Sequence, residues 1–304
     1  MKVKKLVIYS SIVILLSSRL ILINNDKKEE KIDNHSISTH YDDINFVAHR
    51  GLSSLYLDNT LSSVNECNNK ECIDGVEIDV RLTKDNQVVL MHDSKIEDKK
   101  VIDYTLEEIK KINLKYSLSK IGSSISKVDM FSKNSTLITK RFLNKNCTDN
   151  KVCTLDDVLL NLSDDKELLV ELKLNEGKED ILMNLVAQKL NGRENIVIQS
   201  FDADALLKMK KKYPKFKYQI IISKEENLGL MDLDFDGYAI KYTIVNEDMI
   251  VDKLKQGKNI SFWTIDSYDR FIDLYEEFEE YNDNISYISD VPDVLCYTYK
   301  ERNE

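Results

Sequence analysis

Eight short runs rich in isoleucine, valine, leucine and phenylalanine recur along the chain, with helical or polar segments between them. This alternation is typical of parallel strands joined by crossover helices. Eight strand–helix units in 304 residues predict an α/β fold, a TIM barrel, whose functional groups lie at the carboxyl ends of the strands. The predicted strands lie near residues 44–48, 75–80, 168–173, 195–199, 217–222, 236–241, 259–263 and 285–289.

The composition is that of a folded globular domain and not of a nucleic-acid-binding protein. An apolar fraction of 42% is enough for a packed core, and two prolines and eight scattered glycines form no linker that would divide the chain. The net charge is −10 without an offsetting basic patch, so no nucleic-acid partner is expected. One main domain over residues 44–300 is therefore predicted, and a small anionic substrate is compatible with it if the pocket itself is cationic.

The first 24 residues differ in character from the rest. Three of the first five residues are lysine, and an apolar run from Leu6 to Ile23 follows, interrupted at Ser17, Ser18 and Arg19. Read to residue 16, the run has the length of a signal-peptide core, and read to residue 23 it is long enough to span a bilayer. In the absence of a clear cleavage site we favour a single-pass membrane anchor with the folded domain outside the cytoplasm, and a secreted protein is the alternative. The polar residues 25–43 indicate a stalk.

The five cysteines fit an oxidising compartment. Cys67 and Cys72 are separated by four residues, and Cys147 and Cys153 by five, so each pair can close a short disulfide loop and leave Cys296 over. Five unpaired thiols are the alternative. Neither spacing matches a zinc Cys-x-x-Cys site, so these residues predict no metal centre.

Two segments depart from the strand–helix alternation. Val80 to Met91 contains two β-rich runs around the turn signal Lys84-Asp85-Asn86, which predicts a hairpin excursion. Pairing about this turn places His92 opposite Ile78, at the rim of the barrel. Residues 113–150 are rich in serine, lysine and asparagine, and they are expected to form a loosely ordered insertion over the barrel mouth, with the second cysteine pair at its exit.

Only two of the four histidines fall in the predicted domain, and both follow apolar strands. One lies in His49-Arg50-Gly51 and the other in His92-Asp93. A single histidine at a strand end is more often structural than catalytic. Two of them brought to one rim favour acid–base catalysis, because the ordinary pKa of histidine lies near neutral pH.

A group of carboxylates is expected beside these histidines. Glu77 and Asp79 alternate with apolar residues, so both project from the inner face of one strand. Glu171 ends the next barrel strand, and Lys173 follows on the same face. Buried carboxylates need a counter-cation, which favours a hard divalent ion such as Ca²⁺ or Mg²⁺. Hydrated surface carboxylates and a purely structural Glu171–Lys173 ion pair are the alternatives.

These motifs, in this order, resemble the glycerophosphodiester phosphodiesterase family, a TIM-barrel group related to phosphatidylinositol-specific phospholipases C. Each motif alone is weak, but their order and spacing together are specific. The resemblance covers most of residues 45–295 and rests on His49-Arg50-Gly51, Asp58-Asn59-Thr60, Glu77-Ile78-Asp79, Thr83-Lys84-Asp85, His92-Asp93, Glu171-Leu172-Lys173, Gln199-Ser200-Phe201, Trp263-Thr264 and Ser289-Asp290-Val291-Pro292.

The resemblance implies a role for five residues that contact substrate. The catalytic histidines of the family correspond to His49 and His92, and the phosphate-binding arginine corresponds to Arg50. Lys173 and Trp263 match family positions that line the substrate pocket. Which histidine is the base is not decided by the sequence.

The resemblance also implies a metal centre. The metal ligands of the family correspond to Glu77, Asp79 and Glu171, and the ion is expected to be Ca²⁺ or Mg²⁺. The family usually has Glu-Asn-Thr where this chain has Asp58-Asn59-Thr60. The shorter side chain of Asp58 is expected to stand in the shell around the metal.

The reaction implied by the resemblance is hydrolysis of a glycerophosphodiester to glycerol 3-phosphate and an alcohol, through a cyclic phosphate. Two alternatives are a phospholipase C-like or D-like enzyme that acts on intact membrane lipids and a non-catalytic surface protein that binds glycerol phosphates. The sequence leaves open the alcohol group, the choice of metal and the oligomeric state.

Overall fold

The computed structural model describes residues 44–115 and 134–303. Eight parallel strands form a closed barrel, because the first strand pairs with both the second and the last. The strands of these ranges are β1 (Asn45–Ala48), β2 (Gly75–Leu82), β3 (Val88–Leu90), β4 (Lys95–Ile96), β5 (Lys99–Lys100), β6 (Glu167–Leu172), β7 (Ile196–Ser200), β8 (Lys217–Ile222), β9 (Gly237–Lys241), β10 (Asn259–Trp263) and β11 (Ile285–Ser289).

The ring runs β1-β2-β6-β7-β8-β9-β10-β11 and back to β1, so the predicted TIM barrel is confirmed. Helices cover its outer surface, as the right-handed strand–helix–strand connection requires. The α-helices of the described ranges are α1 (Leu61–Asn68), α2 (Leu106–Lys110), α3 (Ser135–Leu143), α4 (Leu155–Asn161), α5 (Glu179–Lys189), α6 (Ala203–Lys212), α7 (Glu247–Lys255), α8 (Tyr268–Glu277) and α9 (Pro292–Asn303). Short 3₁₀ helices span Val101–Asp103, Glu225–Asp232, Tyr242–Ile244 and Glu279–Asn284.

Side chains along each barrel strand point alternately outward and inward, so the apolar core has two separate parts. Outward-facing residues of the barrel pack against the helices in one large apolar cluster. Inward-facing residues form a small cluster of Val47, Leu169, Val197 and Ile288, with Trp263 against it. Because the register aligns Gly75 with Val47, the later β2 side chains at alternate positions also point into the barrel.

Three helices begin at a threonine that caps the backbone. The side chains of Thr60, Thr105 and Thr154 each accept a hydrogen bond from the third residue of α1, α2 and α4 respectively. In each case that third residue reaches back to the backbone N–H of the threonine, which completes a capping box. The Thr60 cap matters most for the site, because it fixes the chain just after Asp58 and Asn59.

The predicted hairpin excursion is present. β2 and β3 pair antiparallel with Val80 opposite Leu90, and the backbone N–H of Met91 donates to the carbonyl oxygen of Asp79 at 2.9 Å. This register returns His92 to the barrel rim. β4 and β5 form a second small antiparallel pair beyond it.

The prediction of a loosely ordered insertion at 113–150 is wrong for its second half. Helix α3 occupies Ser135–Leu143, and Arg141 makes a bidentate pair with Asp293 at 2.6 and 2.8 Å. Asp293 is fully buried, so this contact ties the insertion to the last helix of the barrel. Residues 116–133 lie outside the described part of the chain.

The two disulfides considered from sequence are absent, and all five cysteines are free thiols. Each sulfur of the proposed pairs has another partner. Cys67 donates to the carbonyl oxygen of Ser63 within α1, whereas Cys72 forms a hydrogen bond with Cys296 of α9. Cys147 contacts the carbonyl oxygen of its neighbour Lys145, and Cys153 contacts that of Asn59.

The predicted export signal or anchor, residues 1–24, and the polar stalk, residues 25–43, lie outside the described residues. Between residues 44 and 303, apart from the gap at 116–133, no helix combines the length and hydropathy needed to cross a bilayer. Attachment to a membrane therefore stays a prediction.

A glycine inside the barrel tests the fold directly. A Cβ at Gly237 would lie 2.5 Å from the carbonyl oxygen of Asn259 on the neighbouring strand. Gly237→Ala must therefore push β9 away from β10, and we expect it to lower the free energy of unfolding by about 1–3 kcal/mol, measured by urea denaturation. Gly229→Ala is the control, because a Cβ there meets nothing within 4 Å. Equal stability of the two variants would contradict this packing.

Candidate active site

Three inward-facing carboxylates meet at the carboxyl ends of β2 and β6. The parallel register aligns Asp79 with Glu171, and Glu77 precedes Asp79 on the same face. One oxygen of each residue lies within 4.8 Å of the others, and all three residues are buried. The sequence prediction that these carboxylates gather at one point is thus confirmed in geometry.

Positive charge surrounds this cluster. The Nζ of Lys173 lies 3.1 Å from Oδ1 of Asp79 and 2.5 Å from Oε1 of Glu171. The Nε of Arg50 lies 3.2 Å from Oδ2 of Asp79. Asp79 Oδ1 and Glu171 Oε1 are buried and accept no hydrogen bond of good geometry, so the ion pairs with Lys173 compensate them only in part. Oxygens in this state suit a divalent cation.

Backbone and amide donors also hold the cluster in place. Arg50 adopts a left-handed backbone with φ of +59°, and its N–H donates to Oε2 of Glu77 at 2.9 Å. Asn59 donates from Nδ2 to Oδ2 of Asp79 at 2.7 Å, while its Oδ1 accepts from the Asp79 N–H at 2.9 Å. Each β2 carboxylate is therefore oriented by the segment that follows β1.

The three carboxylates differ in charge state because their surroundings differ. Burial, reinforced by the charge of Asp79, raises the pKa of Glu171 to about 7 and that of Glu77 well above its ordinary value. Burial also opposes ionisation of Asp79, but Arg50 and Lys173 outweigh it and hold the pKa of Asp79 below its ordinary value. Asp79 is thus the constant negative charge, and the two glutamates hold protons that a cation can displace.

His49 follows β1 and is fixed by the last strand. Its Nδ1 lies 2.7 Å from Oδ1 of Asp290, which follows β11, and the barrel closure of β1 on β11 brings the two together. Its Nε2 faces the carboxylates, 4.0 Å from Oε2 of Glu77. Burial and the charge of Arg50 lower the pKa of His49, although Asp290 opposes the shift. The ring is therefore neutral at pH 7, and a proton on Nδ1 toward Asp290 leaves Nε2 as a free base.

His92 lines the same cavity as His49 and is more exposed. Its Nδ1 lies 3.0 Å from Oδ1 of Asp93, and its side chain is 41% exposed. Arg81 donates from Nε and from a terminal nitrogen to the carbonyl oxygen of His92, at 3.2 and 2.7 Å, which fixes the backbone of the excursion at this point.

A cavity of about 70 Å³ contains most of the predicted site residues. Trp263 and Phe201 form an edge-to-face pair along one wall, with ring centroids 6.1 Å apart. Asp79 is fully buried and does not line this cavity, and Asp58 lines instead a neighbouring cavity of about 230 Å³. The predicted residues that line the smaller cavity are His49, Arg50, Glu77, His92, Glu171, Lys173 and Trp263.

Asp58 contacts two cations beside the carboxylate cluster. Its Oδ2 lies 3.7 Å from a terminal nitrogen of Arg50, and its Oδ1 lies 3.1 Å from Nζ of Lys145. The position of Asp58 in the shell around the metal stays a prediction, and the structure shows its contact with Arg50.

Two residues that orient the site were quoted in motifs but given no role from sequence. Asp290 could have been found from the position of its motif, since the last strand of a closed barrel adjoins the first. Asn59 carried no comparable signal, because its pairing with Asp79 depends on the turn after β1. Gln199 and Phe201 also line the cavity, at and beyond the end of β7.

Comparison with known proteins identifies the family. A model of the Glycerophosphoryl diester phosphodiesterase family matches residues 49–284. The chain belongs to this family. It is accordingly a phosphoric diester hydrolase, and the resemblance inferred from its motifs is confirmed.

Individual relatives agree with this assignment. The chain is 26% identical over 235 residues to a glycerophosphodiester phosphodiesterase of Caldanaerobacter subterraneus, a match that covers 72% of this chain and 85% of the relative. The fold is similar to that of a glycerophosphodiester phosphodiesterase from Thermotoga maritima, with a TM-score of 0.63, 23% identity and coverage of 86% and 100%. It is also similar to an Oleispira antarctica phosphodiesterase in complex with the product sn-glycerol-3-phosphate, with a TM-score of 0.64, 20% identity and coverage of 84% and 96%.

Binding of a divalent cation by the cluster is expected to release protons. Because burial and Asp79 raise the pKa of Glu171 to about 7, this carboxyl is largely protonated in the metal-free protein below that pH. A cation must displace the proton, since only the ionised carboxylate is a ligand. Added Mg²⁺ or Ca²⁺ should therefore raise the Tm more at about pH 8 than at about pH 5.5, measured by calorimetry at constant ionic strength.

The control for this experiment is Glu171→Gln. This variant should show a smaller Tm increase with metal and a weaker dependence of that increase on pH. A metal-induced shift of equal size at both pH values, or one that survives intact in Glu171→Gln, would contradict cation binding at the cluster.

Proposed function

We propose that this protein hydrolyses glycerophosphodiesters to glycerol 3-phosphate and an alcohol, with a divalent cation at the carboxylate cluster, His49 as general base and His92 as general acid. One observation carries the proposal. Two imidazoles, two cations and two of the three carboxylates line one cavity at the carboxyl ends of the strands, and an oxygen of the third carboxylate, Asp79, lies within 4.8 Å of the other two.

The carboxylate cluster fits a divalent cation. Members of the family generally depend on a metal ion, and Glu77, Asp79 and Glu171 would hold it here. The buried oxygens of Asp79 and Glu171 that accept no hydrogen bond are suitable ligand atoms. When bound, the cation supplies Lewis-acid polarisation of the phosphodiester.

Arg50 and Lys173 provide the positive charge that a phosphate needs. Both side chains reach the cavity, and both are mostly buried, with 21% and 12% of the side chain exposed. In a chain with a net charge of −10, these two cations stand at the cavity where a phosphate would bind. They stabilise the negative charge that develops on the phosphoryl oxygens.

His49 is suited to remove a proton. Its pKa is lowered by burial and by Arg50, and Asp290 fixes the tautomer with Nε2 unprotonated. His49 takes the proton of the glycerol 2-hydroxyl as its oxygen attacks phosphorus. Asp290 then stabilises the imidazolium that forms, as a buried carboxylate beside a catalytic histidine does.

His92 is suited to donate a proton to the departing alcohol. It lines both the 70 Å³ cavity and the adjoining cavity of about 230 Å³, so the alcohol oxygen can leave on its side. As the phosphorus–oxygen bond to the alcohol breaks, His92 protonates that oxygen. The product on the enzyme is a cyclic glycerol phosphate, and water then opens it with the two histidines in reversed roles.

The small cavity favours a deacylated substrate over an intact lipid. The cavity beside the Trp263–Phe201 pair has a volume of about 70 Å³, which is too small to hold a long acyl chain. The similar Oleispira antarctica phosphodiesterase was solved with sn-glycerol-3-phosphate, which supports the same product here.

Mutation of the histidines tests the proposal. His49→Ala and His92→Ala should each lower kcat by about 10²–10⁴-fold with glycerophosphocholine, followed by ³¹P NMR of the released glycerol 3-phosphate. In His92→Ala the effect should be smaller for a diester whose alcohol is a good leaving group, because such an alcohol needs no proton.

Substrate and chelator controls separate the alternatives. The wild-type protein should lose activity with a chelator, and it should turn over the deacylated diester faster than the matching phospholipid. Faster turnover of the phospholipid would favour a lipid-cleaving enzyme. Binding of the diester with no product would identify a non-catalytic binding protein and overturn the proposal.

Orientation of His49 by Asp290 makes a separate prediction. Asp290→Asn removes the charge that stabilises the imidazolium and permits the wrong tautomer, so kcat should fall by at least about 10-fold while KM changes little. The acidic limb of the pH profile of the wild type should lie below about pH 6.5, because the lowered pKa of His49 keeps it neutral above that value. An Asp290→Asn variant with unchanged kcat would contradict this role.

A further inference from the structure

We propose that Lys145 is a positioning residue for phosphate recognition, because its ammonium group neutralises Asp58 and so leaves the guanidinium of Arg50 available to the substrate. The inference rests on the proposed function, since it takes Arg50 as a phosphate-binding group. Lys145 is 95 residues away from Arg50 in sequence and belongs to the segment after α3, outside the barrel strands.

The ammonium group of Lys145 is held at a buried position. Its side chain is 2% exposed, and its Nζ donates to Oδ1 of Asp58 at 3.1 Å. Removal of an ammonium ion from water costs several kcal/mol, and a nearby anion with suitable geometry offsets that cost. Asp58 provides that anion, and its side chain is 28% exposed.

Asp58 connects Lys145 to Arg50. Its second oxygen, Oδ2, lies 3.7 Å from a terminal nitrogen of Arg50, a distance longer than a charge-assisted hydrogen bond. On the inner side, Nε of Arg50 lies 3.2 Å from Asp79. The guanidinium therefore stands between an inner carboxylate, Asp79, and an outer one, Asp58, and the strength of the outer attraction decides how far it turns from the cavity.

Lys145 weakens that outer attraction. With the ammonium in place, the charge of Asp58 is shared between two cations, and the contact with Arg50 stays long. Without it, the attraction between Asp58 and Arg50 would strengthen, and an ion pair at a partly buried position can close to hydrogen-bond distance. Closure of this pair would draw the guanidinium away from the phosphate.

The loop that carries Lys145 has its own anchors. The N–H of Asn146 donates to the carbonyl oxygen of Leu55 at 2.7 Å, and Asp149 accepts from the N–H of Ser62 at 2.8 Å. These contacts fix the segment against the chain around Asp58 without the ammonium group. Removal of the charge of Lys145 is therefore expected to leave the local fold intact.

The test measures the affinity for glycerol 3-phosphate by calorimetry, together with kcat and KM. Lys145→Met should weaken binding and raise KM by about 10-fold, with a smaller change in kcat, and Lys145→Arg should stay within about 3-fold of wild type. In an Asp58→Asn background, Lys145→Met should have no further effect on the affinity, because the proposed effect on Arg50 passes through that carboxylate. Equal losses from Lys145→Met in both backgrounds would overturn the proposal.

Lys166→Met is the matched control. Lys166 is also a buried lysine, 9% exposed at its side chain, but it precedes β6 at the opposite end of the barrel and donates to the carbonyl oxygen of Ile73 at 2.7 Å. It should lower the Tm and leave the affinity for glycerol 3-phosphate unchanged. If Lys145→Met does not fold, Asp58→Asn and Asp58→Asn/Lys145→Met still decide the question, because the proposal requires the two to bind equally.

Failure of the inference is distinguishable from failure of the proposed function. A wild-type protein that neither binds glycerol 3-phosphate nor turns over a diester would refute both. A wild-type protein that does so, together with a Lys145→Met variant of unchanged affinity, would refute the role of Lys145 alone.

Discussion

Mutual repulsion among three buried carboxylates is the constraint around which the carboxyl end of the barrel is built. At about 4 Å and an effective dielectric constant near 20, two such charges repel by about 4 kcal/mol. The chain reduces this cost in several ways: Arg50 and Lys173 supply positive charge, Asn59 and a backbone N–H supply hydrogen bonds, and the glutamates take up protons. The groups that reduce the repulsion among the carboxylates are also those that a metal ion and a phosphate require. The stability of the folded barrel and the recognition of these ligands therefore depend on the same arrangement.

Much of the fold followed from the sequence because the barrel strands are locally encoded. All eight predicted strands correspond to observed ones, with ends that differ by at most two residues, since apolar β-branched runs mark strands that are buried on both faces. The two errors concern partners that local sequence does not specify. A short spacing between cysteines made disulfides feasible, but Cys72 turns to Cys296 on the last helix. The polar composition of 113–150 suggested a loose segment, but α3 is held by one ion pair to Asp293.

The candidate site was predictable to the extent that the barrel gathers strand ends. Alternation placed Glu77 and Asp79 on the inner face, and strand-end positions placed His49 and Glu171 beside them. The residues given no role act through contacts between distant segments, such as Asp290 with His49 at a separation of 241 residues and Lys145 with Asp58 at 87. No period or spacing in a single sequence encodes such pairs, and only the closed ring and the packed insertion bring them together.

The pairing of β1 with β11 determines when His49 and Asp290 come into contact as the chain folds. His49 follows the first barrel strand and Asp290 follows the last one, so the carboxylate that orients the imidazole is synthesised long after it. Under the proposed mechanism, activity therefore requires that β11 has paired with β1 and closed the barrel.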